Sequence, residues 1–305
     1  PFRARAIFPE SRDPPSSGRL AYREMICVLS PAKAMDLSGG PNLGVMSKPV
    51  MKDTAELLPV CKQLSKADLK RLMGVSDAIA EKDLSRYKNW EKTPCKAACL
   101  AMDGPAFRGL DGASLSAGER RVAQDKVRIL SGLYGVLKPY DAIRPYRLEM
   151  GSKVKTSRGA CLYDFWGEAI AKELGKGGKV IINAASQEYW KAVKEAALGV
   201  PVVTVDFPGP SVYAKKARGL ICRFAVQQKC QKPEDLKAFL GAPGDPYIFD
   251  AAKSTATKYV FRRATGGSAA RAPVGAGAGA KAAAAKRPAA TSGPARAAKK
   301  PRTSM

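Results

Sequence analysis

The sequence contains no histidine. That excludes Ser-His-Asp and Cys-His catalysis, histidine-ligated zinc or iron, and the usual general base near neutral pH. No stretch approaches the roughly 20 apolar residues that a membrane-spanning helix needs. There is no CxxC pair either. The seven cysteines, Cys27, Cys61, Cys95, Cys99, Cys161, Cys222 and Cys230, are odd in number and scattered. Cys95 and Cys99 are spaced to share a helix face, but two thiolates make a poor metal site. The pattern predicts reduced, mostly buried thiols in an intracellular protein, and no metal or other cofactor. Acid is the remaining scarcity: 27 Asp and Glu stand against 52 Lys and Arg, a formal charge of +25. Eight of the basic residues and none of the acidic ones lie beyond residue 263, so residues 1–263 still carry +17. An excess of that size favours polyanions, nucleic acid first among them.

Apolar runs and turn residues place a folded body in the middle of the chain. At 305 residues the chain is long enough to bury a full core in one or two domains. Met25-Ile26-Cys27-Val28-Leu29 reads as a short buried strand, ended by Ser30-Pro31, which delivers Lys33 to its carboxyl end. Val180-Ile181-Ile182 and Val202-Val203-Thr204-Val205 read as two more, with a helix over 188–197 between them. Helices are also expected over 116–130, opened by a Ser116/Glu119 capping box, and over 165–174, stopped by Gly175, Gly177 and Gly178. The most legible helix covers 215–229, with Ala217, Leu220, Ile221, Phe224 and Ala225 facing inward. Pro233 begins another through Leu240, and Tyr247-Ile248-Phe249 and Tyr259-Val260-Phe261 read as closing strands. This is the pattern of a mixed α/β fold, a single domain over 25–263 without internal repeats.

The flanks differ in composition. Residues 1–24 hold Arg3, Arg5, Arg12, Arg19 and Arg23 among few acids, which suits either a disordered leader or the remnant of an organelle transit peptide. Residues 264–305 are mostly Ala, Gly, Pro, Ser and basic residues. They are too poor in large apolar side chains to offset the entropy of ordering, so this tail is expected to be disordered. It resembles the Ala/Lys/Pro-rich tails of linker histones. Within it, Lys286-Arg287 and Lys299-Lys300-Pro301-Arg302 resemble a bipartite nuclear import signal.

The densest run of special residues is 131–150. Gly132 and Gly135 permit tight turns or close backbone approach, and Pro139 and Pro145 each fix a φ angle. Lys138, Asp141, Arg144, Arg147 and Glu149 then read as charges on a stiff loop, a usual place for binding chemistry. Leu133-Tyr134-Gly135-Val136-Leu137-Lys138-Pro139 and Pro145-Tyr146-Arg147-Leu148-Glu149-Met150-Gly151 resemble signature runs of the peroxide-stress-resistance protein YaaA family. Four further runs resemble it in the same order. They are Leu29 to Lys33, Tyr163 to Gly167, Asn183 to Tyr189, and Tyr213 to Gly219. The resemblance covers about 25–263. It departs at Ala184 and Gln187, where the family commonly has Leu and an acid, and at 206–210, a short turn where the family has a longer insertion.

Residues 65–90 suggest two helices joined by Gly74-Val75-Ser76, with Ser76 as N-cap of the second and Ile79 and Ala80 facing inward. A helix-hairpin-helix unit binds DNA by aiming hairpin amides and the second helix's N-terminus at a phosphate. Gly74, Val75 and Ser76 would supply the amides, and Lys70, Arg71 and Lys82 the charge. Pattern alone favours plain packing. The resemblance implies a DNA-binding helix-hairpin-helix at this place and a positively charged cleft, lined by Lys33, Lys138, Arg144, Arg147, Lys215, Lys216 and Arg218. Glu149 and Asp141 would orient those cations. Tyr134, Tyr146, Tyr163, Tyr189 and Tyr213 suit either base stacking or core packing, and Trp166 the core.

These residues lead to the expectation of a DNA-binding protein of the peroxide stress response. It would grip duplex or distorted DNA through phosphates, protect it from oxidative damage, and have no membrane or evident protein partner. The family link to lowering free iron comes from the resemblance; no residue pattern here shows iron binding. The resemblance also implies the cytoplasm. The alternative is an enzyme acting on a nucleotide or damaged DNA through a cleft lysine, with Lys215, Lys33 and Glu149 as the candidates. In a third reading the tail alone supplies the affinity for polyanions.

Overall fold

The computed structural model describes residues 24–38, 45–49 and 51–264. The Arg-rich leader, and the tail with its basic runs, lie outside the described residues apart from Glu24 and Ala264. In chain order the strands are β1 (Met25–Leu29), β2 (Ala34–Met35), β3 (Lys96–Ala97), β4 (Met102–Asp103), β5 (Val127–Ser131) and β6 (Gly135–Leu137). They continue as β7 (Ala142–Ile143), β8 (Val180–Ala184), β9 (Val202–Asp206), β10 (Gly241–Ala242), β11 (Asp245–Phe249) and β12 (Lys258–Arg263). Eight of them form one sheet in the order β10-β11-β12-β9-β8-β1-β5-β6. The middle five are parallel, and the flanking β6 and β11 run antiparallel to their neighbours.

β1 shows why the middle of the sheet is parallel. All five of its residues are buried, an unbroken apolar run with no polar face to offer water. The run over 180–184 pairs with it on one side and 127–131 on the other, and 202–206 pairs in turn with 180–184, with Leu29 beside Ala184 and Asn183 beside Thr204. The helices are α1 (Thr54–Gln63), α2 (Lys66–Met73), α3 (Asp77–Lys88), α4 (Ala98–Ala101), α5 (Pro105–Leu110), α6 (Ala117–Lys126), α7 (Leu162–Trp166), α8 (Ala169–Gly175), α9 (Gln187–Trp190) and α10 (Ser211–Gln227), and of these α6 and α10 pack against β1. The Ser116/Glu119 capping box forms as the sequence suggests.

Helices α2 (Lys66–Met73) and α3 (Asp77–Lys88) occupy the expected segment and are joined by Gly74 in the left-handed region, φ +60°. Ser76 is the N-cap of α3 by backbone conformation, without a side-chain hydrogen bond. Two glycines in the signature runs are needed for close approach. A Cβ on Gly135 would meet the Trp166 ring at 2.8 Å, and one on Gly219 would overlap the Ala106 carbonyl of α5 (Pro105–Leu110). Trp166 is core, its indole N–H donating to Gly132 O at 2.9 Å.

Several sequence expectations need correction. The helix over 116–130 stops at Lys126, because Val127 to Ser131 pair with β1 and β6; sheet partners override a run that could extend a helix. The helix over 165–174 is two, α7 (Leu162–Trp166) and α8 (Ala169–Gly175), broken where Gly167 adopts φ +47°. The helix over 188–197 is a single turn, Gln187–Trp190, followed by a 3₁₀ turn at Glu195–Ala197, and the one after Pro233 is a 3₁₀ helix, Pro233–Ala238. Ile79 faces solvent at 39% exposure, while Ala80 is buried. Cys95 precedes β3 and is exposed, so it shares no helix face with the buried Cys99. Finally, 131–150 is not a surface loop. Its apolar residues are buried almost throughout, and Lys138, Arg144, Arg147 and Glu149 are half-buried.

Candidate functional site

The carboxyl ends of β5, β1, β8, β9 and β12 come out on one edge of the sheet, since these five strands are parallel. From β1 the chain adds β5 on one side and then β8 on the other, so the topology reverses between β1 and β8. In open α/β sheets such a point opens a crevice. Here it is closed by polar contacts. Ser30 Oγ, just past β1, donates to Ser186 Oγ at 3.1 Å and accepts from the Ser186 amide at 2.8 Å. Asn183 braces the next turn, its Oδ1 accepting from the Ala185 amide and its Nδ2 donating to Thr204. Ser131, at the end of β5, shares a 2.6 Å hydrogen bond with Tyr146. Burial pushes the Tyr146 phenol up to about 12.

Two cationic clusters sit along this edge. In the first, Lys33 Nζ lies 2.5 Å from Glu149 Oε2, and Arg147 Nη2 donates to Glu149 Oε1 at 2.9 Å. Lys33 is 63% exposed, and Arg147 and Glu149 are each 15% exposed. In the second, Asp245 accepts from Lys216 at 2.5 Å and from Arg263 at 3.0 Å, and the Arg263 guanidinium lies 3.8 Å over the exposed Tyr213 ring. The Lys216 contact holds the Asp245 carboxyl below the usual carboxylate range. Between the clusters, Arg218 faces Asp206; burial draws its guanidinium down from the ordinary value and its Nε has no partner among the described residues. Adjacent strands are about 4.8 Å apart, so three intervals from β1 to β12 put the clusters about 15 Å from each other. Each cluster holds two cations on one carboxylate.

The hairpin of α2 and α3 is built differently. Lys66 pairs with Glu81, Lys70 with Asp77 and Arg71 with Asp68, one acid to each cation. The amides of Gly74 and Val75 both donate to Lys70 O, so two of the three expected phosphate donors are engaged within the hairpin. Asp77 also places a carboxylate on the first turn of α3, where a phosphate would approach. The hairpin does abut the first cluster. Tyr87 OH donates to Arg147 O at 2.8 Å, Ser152 Oγ to Met73 Sδ at 3.3 Å, and buried Asp83 faces both Arg86 and Arg147. Burial pushes the Asp83 carboxyl up against the pull of those two guanidiniums.

The edge therefore gathers Lys33, Arg147, Glu149, Lys216 and Arg218, with exposed Lys215 on the same first turns of α10. Lys138 is not among them, because β6 runs antiparallel and carries it toward the opposite end of the sheet. Asp141 is fully buried, accepting from Ser47, Gln124 and the Lys138 amide, and so braces backbone and not the cluster cations. Arg144 donates to Thr93 O. Tyr134, Tyr146 and Tyr189 are core residues; Tyr163 is half-buried and Tyr213 exposed. Sequence reasoning missed Asp245, Arg263 and the Ser30–Ser186 contact. Of these only Ser30 and Ser186 fall within the signature runs.

Among the described residues no group of three or more Cys, Asp and Glu side chains is placed to hold a metal ion, and no helix is long and apolar enough to cross a membrane. Cys61, Cys99 and Cys230 are pushed up to about 12 by burial. They are thiols, not thiolates, near neutral pH.

A UPF0246 protein of Burkholderia orbicola is 41% identical over 262 residues, 79% of this chain and 100% of the relative. UPF0246 proteins of Aliivibrio fischeri (strain MJ11; 41% over 257 residues, 78% of this chain and 98% of the relative) and of Janthinobacterium sp. (strain Marseille; 40% over 260, 79% and 100%) are similar. The family model described as peroxide stress protein YaaA matches residues 25–253, which span every strand of the sheet except β12, so this chain belongs to the peroxide stress protein YaaA family.

Proposed function

We propose that this protein binds duplex or distorted DNA through its phosphates and acts in the peroxide stress response for which its family is named. One observation carries the reading: along the carboxyl edge of the sheet two cations share each carboxylate, which leaves a net positive charge at both clusters. Lys215 and Arg218 add to that field, and Tyr213 offers an exposed ring for an unpaired base. The hairpin is the lesser contact, since Lys66, Lys70 and Arg71 each have an acid of their own and the Gly74 and Val75 amides are engaged; Lys82 and the Ser76 turn would only position the duplex. Lys33 is engaged as an ammonium in an ion pair, which suits a phosphate contact better than a Schiff base.

Titration of a labelled duplex tests this. With about four phosphates contacted, affinity should fall about 100-fold between about 50 and 200 mM salt. A chain lacking residues 264–305 should keep most of that dependence. If the deletion abolishes duplex binding, or if salt leaves affinity unchanged, the reading fails.

A further inference from the structure

Glu149 occupies the place a ligand anion would take. Its backbone is fixed: Tyr87 holds Arg147 O, Gly151 N donates to Glu188 Oε1 at 3.1 Å, and Ser152 N donates to Glu149 O at 3.0 Å. Only the side chain is free to leave, by rotating toward solvent. It spends one oxygen on each cation, while Arg147 Nε is left without a partner among the described residues. Lys33 is exposed enough that its pair with Glu149 opens cheaply.

The charges then set what can displace it. Lys33 and Arg147 together carry +2 and Glu149 carries −1; buried Asp83, which also faces Arg147, is matched by its ion pair with Arg86. An internal phosphodiester is also −1, so exchanging it for Glu149 gains no charge match. A terminal phosphomonoester carries about −1.5 to −2 at neutral pH and offers three acceptor oxygens, enough for Lys33 and for two donors of Arg147.

We propose that Lys33, Arg147 and Glu149 form a terminal-phosphate site, in which Glu149 excludes internal phosphodiesters and yields to the phosphomonoester of a DNA end or nick. This rests on the phosphate-binding reading above and narrows it to one class of ligand. Glu149 is a specificity-determining residue, with no bond made or broken at the site.

The test uses the full chain and two nicked duplexes of one sequence, bearing a 5′-phosphate or a 5′-hydroxyl at the nick, with a matching 3′-phosphate pair as the second arm. One extra charge-assisted hydrogen bond to the phosphate is worth about tenfold in affinity. The protein should therefore bind one phosphorylated form about tenfold more tightly than its hydroxyl counterpart. Glu149→Gln should bind every form more tightly and narrow the preference to about twofold or less, because a diester then enters unopposed. Lys33→Ala should lose the preference while its melting temperature stays near that of the parent. Tight binding without any phosphate preference would overturn this inference and leave the DNA-binding reading standing. Weaker binding by Glu149→Gln would show that the carboxylate orients the cations, and would overturn it too. No binding to any duplex by the parent or by Glu149→Gln would overturn both readings.

Discussion

The hairpin of α2 and α3 and the carboxyl edge of the sheet hold the same kinds of side chain and differ in stoichiometry. Lys66, Lys70 and Arg71 each have their own acid, two of them within one turn or across the hairpin bend, where neighbours in sequence readily meet. On the edge, Glu149 serves both Lys33 and Arg147, and Asp245 serves both Lys216 and Arg263. A matched ion pair has little field a few ångströms away, whereas a two-to-one cluster projects a net charge that salt screens but does not cancel. A basic sequence therefore says little about where its charge is usable. The acid partners decide that.

The largest effect should come from the seat of α10, which carries Lys215, Lys216 and Arg218. Gly219→Val forces a branched side chain into the Ala106 carbonyl and should cost about 3 kcal/mol or more, read by chemical denaturation. A cost near zero would mean that α10 does not cross α5 this closely, and the edge cluster built on it would be misplaced. Asp245→Asn should be milder, about 1 kcal/mol at neutral pH once the exposure of Lys216 is discounted. Because the Asp245 carboxyl is held below its ordinary range, its contribution is present above that range and is lost as pH falls through the lowered value. The gap between parent and variant should thus close in acid; a gap that widens in acid contradicts the assigned pairing. The same substitution should strengthen duplex binding, since it removes the one acid of the second cluster. On the hairpin, Asp77→Asn frees Lys70 alone and should change duplex affinity by less than about twofold at moderate salt. The smallest effect concerns the thiols: in the native protein at mildly alkaline pH, alkylation should modify exposed Cys95 first and leave Cys61, Cys99, Cys222 and Cys230 unmodified. Early modification of any of those four would mean the core opens where the structure closes it.

The strands over 25–29 and 180–184 were legible because a strand buried on both faces is written as a continuous apolar run; the one over 202–206, which alternates buried and half-buried residues, was legible from its β-branched run. β5 was not, because Val127 to Ser131 follow a helix with no breaker between them, and only its pairing with β1 makes it a strand. Gly132 and Gly135 were visible as residues with a purpose, and the structure gives each a specific close approach; that of Gly219, named in the sequence only as the end of a signature run, emerges from the fold. The cations of the site were also legible as residue types. Their arrangement was not. Lys33 and Glu149 are far apart in sequence, as are Lys216 and Asp245, so the sharing of one carboxylate by two cations exists only after the sheet brings the carboxyl ends of its strands together. The same holds for the hairpin amides, which the sequence leaves available and the fold turns inward to Lys70.

The most direct test is a duplex titration of two full-length double variants. Lys33→Ala with Lys216→Ala removes one cation from each edge cluster and leaves every carboxylate paired, and Lys70→Ala with Arg71→Ala removes two from the hairpin. The edge variant should bind about 20-fold more weakly at moderate salt and lose about two units of the log-affinity against log-salt slope, with the hairpin variant within about twofold of the parent. An edge variant that binds like the parent, beside a hairpin variant that does not, would contradict the account.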